Sequence, residues 1–126
     1  MSSGVDSVLI GHVVAVENGL ATVAVEGRRI RAEAPAPGTD EVALCIRAED
    51  VLIGRTADAE MSAMNRWSAV VRAETPEGPF VRVVLDCGFR LSAVVTRDAW
   101  RRLSLHVGDE ALAIVKAASI RVLPRH

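Results

Sequence analysis

Tyrosine is missing from this 126-residue chain, and its aromatic content is two phenylalanines and two tryptophans. Proteins that grip single-stranded nucleic acid stack its bases on aromatic faces, and a formal net charge of -1 adds no general pull on a phosphate backbone. A nucleic-acid partner is therefore excluded as the leading reading. Long apolar runs are missing too: Ala111 to Val115 is among the longest, where a bilayer span needs roughly 20 residues. The opening Met1-Ser2-Ser3-Gly4 lacks the charged and then apolar pattern of an export signal, so the expected location is cytoplasmic. The two cysteines, Cys45 and Cys87, are too few for a disulfide framework and are expected to be reduced, structural thiols. His12, His106 and His126 have no ligand-like spacing with either cysteine or a carboxylate, so no transition-metal site is expected. No nucleophile and base pattern, P-loop or glycine-rich phosphate turn occurs, and an enzyme is not expected. Lysine is the last scarcity. Of 15 basic residues only Lys116 is a lysine.

What the chain does have is short runs of Val, Ile and Ala broken by turn signals at Asn18-Gly19, Gly27, Pro37-Gly38, Glu77-Gly78, Gly88 and Gly108-Asp109. That spacing predicts an all-β barrel or sandwich. Phe89, Leu91, Ala93 and Val95 share one face of a strand, and Val81, Val83 and Leu85 share one face of another, with Gly88 closing a hairpin between them. The pattern is written twice. Gly11–Glu17 is matched with Ser68–Glu74, Leu20–Val25 with Phe80–Leu85, Arg28–Ala34 with Phe89–Val95, and Glu41–Ile46 with Glu110–Val115. Arg47 then stands opposite Lys116. The second copy alone carries Arg97–Leu105, where Thr96 as N-cap and Asp98 in the first turn predict one short helix. Trp100, Leu103 and Leu105 are expected to cover a barrel end. Each copy is at the lower size limit for an independent core, so the copies are expected to pack on each other or on a second chain.

Three stretches resemble a known family, the transport-associated oligonucleotide/oligosaccharide-binding-like (TOBE) domains, and among them the molybdate/tungstate-binding (molbindin, Mop-type) members. Met61-Ser62-Ala63-Met64-Asn65 resembles the family's Ser-Ala-Arg-Asn opening, with Met64 where arginine is common and Arg66 two positions later. Ile114 to Val122 resembles its closing Lys-Ala-Thr/Ser strand, and Leu44 to Val51 resembles an Ile-Arg-Pro-Glu-Asp-Val segment of the regulatory region of molybdate importer ATPases. The resemblance implies two tandem small OB-like β-barrels, residues 1–57 and 58–126, with the oxyanion motif complete only in the second. It implies that Ser62, Ala63, Met64, Asn65, Lys116, Ala117, Ala118 and Ser119 bind molybdate or tungstate, with Arg47 and Arg66 as secondary contacts. It further implies a homo-oligomer, dimer or trimer, and a link to an ABC importer ATPase or permease.

A tetrahedral dianion is strongly hydrated, so a site that captures it must replace many hydrogen bonds at once. Micromolar affinity is about -8 kcal/mol, and one hydrogen bond to a charged group contributes roughly 1.5–3 kcal/mol. Four to six converging donors are needed on that arithmetic. Ser62, Asn65, Lys116 and Ser119 supply four side chains, and small residues at Ala63 and Ala117 let an anion approach the backbone. The two motifs are expected to meet across a barrel rim or between barrels. Structural alternatives remain open here: Lys116 as a solvated edge lysine, Ser62 and Asn65 as turn residues, and Arg72, Arg82 and Arg90 as the solvated face of a sheet. Two settings fit an oxyanion module, regulation of an importer or intracellular molybdenum storage. The competing function is a dimerisation or regulatory domain of an importer for another solute, with no oxyanion bound.

Overall fold

The computed structural model describes residues 7–55 and 64–125. The chain forms two antiparallel five-stranded sheets. The first-half strands are β1 (Ser7–Glu17), β2 (Leu20–Val25), β3 (Arg28–Glu33), β4 (Glu41–Ile46) and β5 (Leu52–Gly54). Those of the second half are β6 (Met64–Glu77), β7 (Phe80–Asp86), β8 (Arg90–Thr96), β9 (Glu110–Lys116) and β10 (Arg121–Pro124). Helix α1 (Arg97–Leu103) follows β8. The all-β class, the doubled pattern and the one α-helix among the described residues are as the sequence predicts. The expected division between residues 57 and 58 lies outside the described residues.

The sheets run β10-β4-β1-β2-β3 and β5-β9-β6-β7-β8, so each half gives its last strand to the sheet of the other. Leu52 lies opposite Ile114, and Arg121 lies opposite Cys45. A tight 3-10 turn steers each crossing, Ala48–Asp50 after β4 and Ala117–Ser119 after β9. Ala48 and Ala117, both 1% exposed, are buried where the first turn packs against β8 and the second against β3. The expected pairing of Arg47 with Lys116 holds in detail: both are extended residues capping equivalent turns, at φ -83 ψ 140 and φ -66 ψ 137.

Alternation of buried and exposed residues builds the core. Val23 and Ile30 from one half and Leu85 and Leu91 from the other are fully buried in a single cluster that also takes in Trp67, Trp100 and Ile120. At 0% exposure each such aliphatic side chain contributes about 1.5–3 kcal/mol of transfer free energy. Thr96 caps α1 as expected, its hydroxyl accepting the Ala99 N–H at 3.1 Å, and Ser104 ends the helix in the left-handed region at φ 53. Trp100, on α1, donates its indole N–H to Glu74 of β6 and is buried with Leu105 against the barrel.

The repeat needs one correction. β3 with β8 and β4 with β9 correspond as expected, but in the first strand Val13 is equivalent to Val71, not to Val70. Each sits beside a β-bulge, and each donates its N–H to the aspartate before the following strand, Asp40 or Asp109. Gly11 therefore matches Ala69, both buried, whereas the expected match to exposed Ser68 would put one side chain on the wrong face. In the second strand Val23 stands where Leu85 does, a shift of two from the expected match. The cause is a longer second hairpin. Glu17 sits at its turn opposite Leu20, while Glu74 lies deeper in its ladder, opposite Val83, so the two glutamates are not equivalent.

Candidate functional site

The opening and closing motifs meet, but not across a rim. β6 and β9 are direct neighbours in one sheet, with Met64 opposite Lys116, Asn65 opposite Val115 and Arg66 opposite Ile114. Asn65 thus lies inside a strand instead of preceding it. Period-2 alternation turns Asn65, Trp67, Ala69 and Val71 inward. Positions 66 and 68 of β6 and 112, 114 and 116 of β9 share the outer face.

Asn65 is 4% exposed, and its amide is fully used. Its Oδ1 accepts the Arg31 N–H at 2.7 Å, while Nδ2 donates to the Arg31 carbonyl at 2.8 Å and to the Val115 carbonyl at 3.3 Å. Both amide hydrogens are spent on backbone, so Asn65 imitates a peptide group and binds edge strand β3 to β6. One pair further along, Trp67 donates its indole N–H to the Arg29 carbonyl at 3.1 Å. In the other half the residue equivalent to Asn65 is Ser7, whose hydroxyl accepts the Ser92 N–H at 3.2 Å. The two junctions between halves are thus related in position and unequal in strength. Sequence reasoning named Asn65 but missed Arg31, Trp67 and Ser7; the inward alternation starting at Asn65 was the signal for Trp67.

Lys116 ends β9 with its side chain exposed, and no acid pairs with it among the described residues. Ala118 and Ser119 line an open cleft of about 410 Å³ at the junction, with Glu33, Pro35 and Arg121 on its other sides. Lys116 and Asn65 are not in that lining, and Glu33 is a lining residue that sequence reasoning did not find. Ser62 and Ala63 lie outside the described residues. Arg66, by contrast, is partly buried, and its Nη2 is enclosed without a hydrogen-bond partner among the described residues.

Arg47 stands differently from Lys116. Its Nε donates to Asp50 at 3.0 Å and its Nη1 lies 3.9 Å from Glu49, and the Asp50 hydrogen bond is the main reason its pKa is raised. The first-half turn carries Glu49 and Asp50 where the second carries Ala118 and Ser119, so its one cation is already neutralised from within. A second cleft, of about 480 Å³, holds Arg28 and Arg55 with Asp86 and Glu110, a balanced set with no net attraction for an anion. Cys45 and Cys87 are free and buried, and burial first, then the neighbouring Asp86, pushes the Cys87 thiol up to about 12. A thiol so rarely ionised is a poor nucleophile. Among the described residues no three His, Cys, Asp or Glu side chains are grouped to hold a metal ion, and no helix is long and apolar enough to cross a membrane.

Comparison with known proteins agrees with this architecture. The family model described as the TOBE domain matches residues 61–122. The molybdenum import ATP-binding protein ModC of Brucella abortus is 42% identical over 84 residues, covering 65% of this chain and 23% of that protein. ModC of Rhodopseudomonas palustris is 35% identical over 109 residues, covering 81% and 29%, and ModC of Granulibacter bethesdensis is 30% identical over 130, covering 94% and 34%. The chain thus spans 23% to 34% of the length of these relatives. In fold it is similar to the cytoplasmic molybdate-binding protein ModG in a crystal form with molybdate bound, at a TM-score of 0.81 and 23% identity over 99% of this chain and 100% of that one. Residues 61–122 are a TOBE domain, and the chain carries it within a fold of the molbindin type.

Proposed function

We propose that the chain is a non-enzymatic oxyanion-binding module, taking molybdate or tungstate where β6 meets β9, in the cytoplasm. It serves either the regulation of an ABC importer or the storage of molybdenum, with its two repeats dividing near residues 57 and 58. The observation that carries this reading is the pairing of Met64 with Lys116, which brings the opening and closing motifs side by side on one sheet. Lys116 supplies a compact cation with no acid paired to it among the described residues, Ser119 a hydroxyl, and exposed Ala118, next to buried Ala117, a backbone that an anion can approach. Ser62, Ala63 and Met64 of the opening motif complete the proposed ligand set. Asn65 holds β3 and β6 together beneath the site, since its own donors are spent. Arg47 is a weaker candidate than Lys116 because Asp50 already occupies it.

Calorimetric titration with molybdate, tungstate and sulfate tests the reading. Micromolar binding of at least one metal oxyanion is expected, weakened at least tenfold, about 1.4 kcal/mol, in Lys116→Ala with the fold intact. Failure of both metal oxyanions to bind below about millimolar concentration, on the order of -4 kcal/mol, rejects it.

One observation favours the competing reading of an interaction module. The outer face of the first sheet exposes Val8 (57%), Ile10 (42%) and Leu123 (41%), with the small residues Ala43 and Cys45 between them. A mainly apolar patch of this kind, bordered by exposed Arg121, suits a two-fold contact between copies. A homo-oligomer is the expected outcome of sedimentation equilibrium at micromolar concentration, and Ile10→Lys is expected to dissociate it. A 13.5 kDa monomer would remove this surface from the account.

A further inference from the structure

We propose that the outer face of α1, with Phe80 and Val107 at its margins, is a docking surface for an acidic, partly apolar segment of another protein. The two sides of this helix meet different surroundings. Trp100 is buried and Leu103 is half-buried, so the inner side is packed on the barrel, with the Trp100 indole bound to Glu74. Arg97, Arg101 and Arg102 are all exposed. Against these three cations the helix carries one acid, Asp98. It precedes Arg101 and Arg102 at the i,i+3 and i,i+4 spacings that allow pairing on a helix, yet no ion pair joins it to either among the described residues. Glu77, the acid opposite Phe80, is held by Arg82 at 2.7 Å.

The duplication shows that the barrel itself requires none of this. In the first half the connection between β3 and β4 is the Pro35-Ala36-Pro37-Gly38 loop, and Ala32 and Val42 on either side of it are fully buried without a helix over them. Phe80 is a second addition. It belongs to the two extra pairs, Val81 with Pro76 and Phe80 with Glu77, that make the second hairpin longer than the first. These separate additions converge on one surface: Phe80 lies opposite Thr96, the cap of α1, and Arg97 donates its N–H to the Pro79 carbonyl at 3.1 Å. Val107, four residues past the end of the helix, is the other large apolar side chain left exposed beside it.

The chemistry of the face selects its occupant. A guanidinium fork pairs with a carboxylate through two parallel hydrogen bonds, and arginine and aromatic side chains are enriched where proteins meet. A bilayer suits the face less well, because an interfacial helix sinks its apolar side into lipid and that side of α1 is already inside the barrel. A single-stranded nucleic acid suits it less well too, since one phenylalanine is a platform for one base.

The test uses the full chain and a fluorescently labelled synthetic peptide of interspersed glutamate and leucine, read by anisotropy, with phosphatidylserine vesicles and single-stranded DNA as the rival occupants. Peptide binding tighter than about 100 μM at low salt is expected, weakening as salt screens the charges. The double variant Arg101→Gln with Arg102→Gln should bind at least tenfold more weakly, and Phe80→Ser several-fold more weakly with an unchanged salt dependence. Both should keep the parent's melting temperature, because the altered side chains are exposed; if the double variant melts lower, Arg97→Gln repeats the charge test from the first turn. Absence of peptide binding at that concentration, or equal binding by the charge variants, overturns the proposal. Binding of vesicles or DNA in place of the peptide overturns it as well, and so does a change of oligomeric state in the double variant, which would make the face a contact between copies.

Discussion

Asn65→Leu is expected to lower the unfolding free energy by about 3–5 kcal/mol, measured as the midpoint shift in urea denaturation followed by circular dichroism. Leucine has the same branched skeleton as asparagine and the same number of side-chain heavy atoms, so the loss comes from hydrogen bonding and not from a cavity. The substitution leaves the Arg31 N–H and carbonyl without the partners that lie at 2.7 Å and 2.8 Å, and removes the 3.3 Å bond to Val115. Each backbone group orphaned away from water costs about 1–3 kcal/mol, against a total stability of about 5–15 kcal/mol for a domain. The effect should be independent of added molybdate, because neither amide hydrogen of Asn65 is free to reach an anion. A stability change under about 1 kcal/mol with weakened anion binding would assign Asn65 to the ligand set instead and undo its role as a strap.

Trp67→Ala is expected to cost about 3–5 kcal/mol, the range for removing a large buried aromatic. Trp67 is 7% exposed and packs edge-on against Phe89, with ring centroids 5.1 Å apart and planes at 85°. That geometry sets the positive ring edge of one against the negative face of the other, which is favourable beyond area burial alone. Its indole bond to the Arg29 carbonyl at 3.1 Å adds a second tie to β3. Trp67→Phe separates these contributions. It keeps an aromatic contact with Phe89 and loses the hydrogen bond, so about 1–2 kcal/mol should disappear. Trp67 and Asn65 are two residues apart on one face and hold the same strand, so the double variant should depart from additivity. Additive losses would mean that the two ties act independently and that β3 is not held as a unit.

Much of this was legible in the sequence because strands write their faces at period two. The buried Leu91 and Ala93, the hairpin at Gly88 and the Thr96 cap follow from residue type and spacing alone. The partnership of Arg47 with Lys116 was also readable, since the turns that follow have the same length. Other features were hidden for physical reasons. A β-bulge adds a residue without altering the apolar pattern, so the match of Gly11 with Ser68 looked as good as the correct one with Ala69. Strands β5 and β10 are only 3 and 4 residues long, and nothing in so short a run says which sheet receives it. The inward turn of Asn65 depended on where β6 begins, and the motif alone suggested a turn before the strand. The orphaned edge of Arg66 could not be read at all, because the lack of a partner is a property of the packed surroundings.

The exchange of β5 and β10 has a meaning for concentration. Two separate half-length chains swapping their last strands would hold together only while abundant enough to find each other, and dilution would pull them apart. Covalent connection fixes the supply of each partner strand at an effective concentration of about millimolar, whatever the number of molecules in the cell. A protein scarce enough to be regulatory therefore keeps the same internal clasp as one abundant enough to be a store.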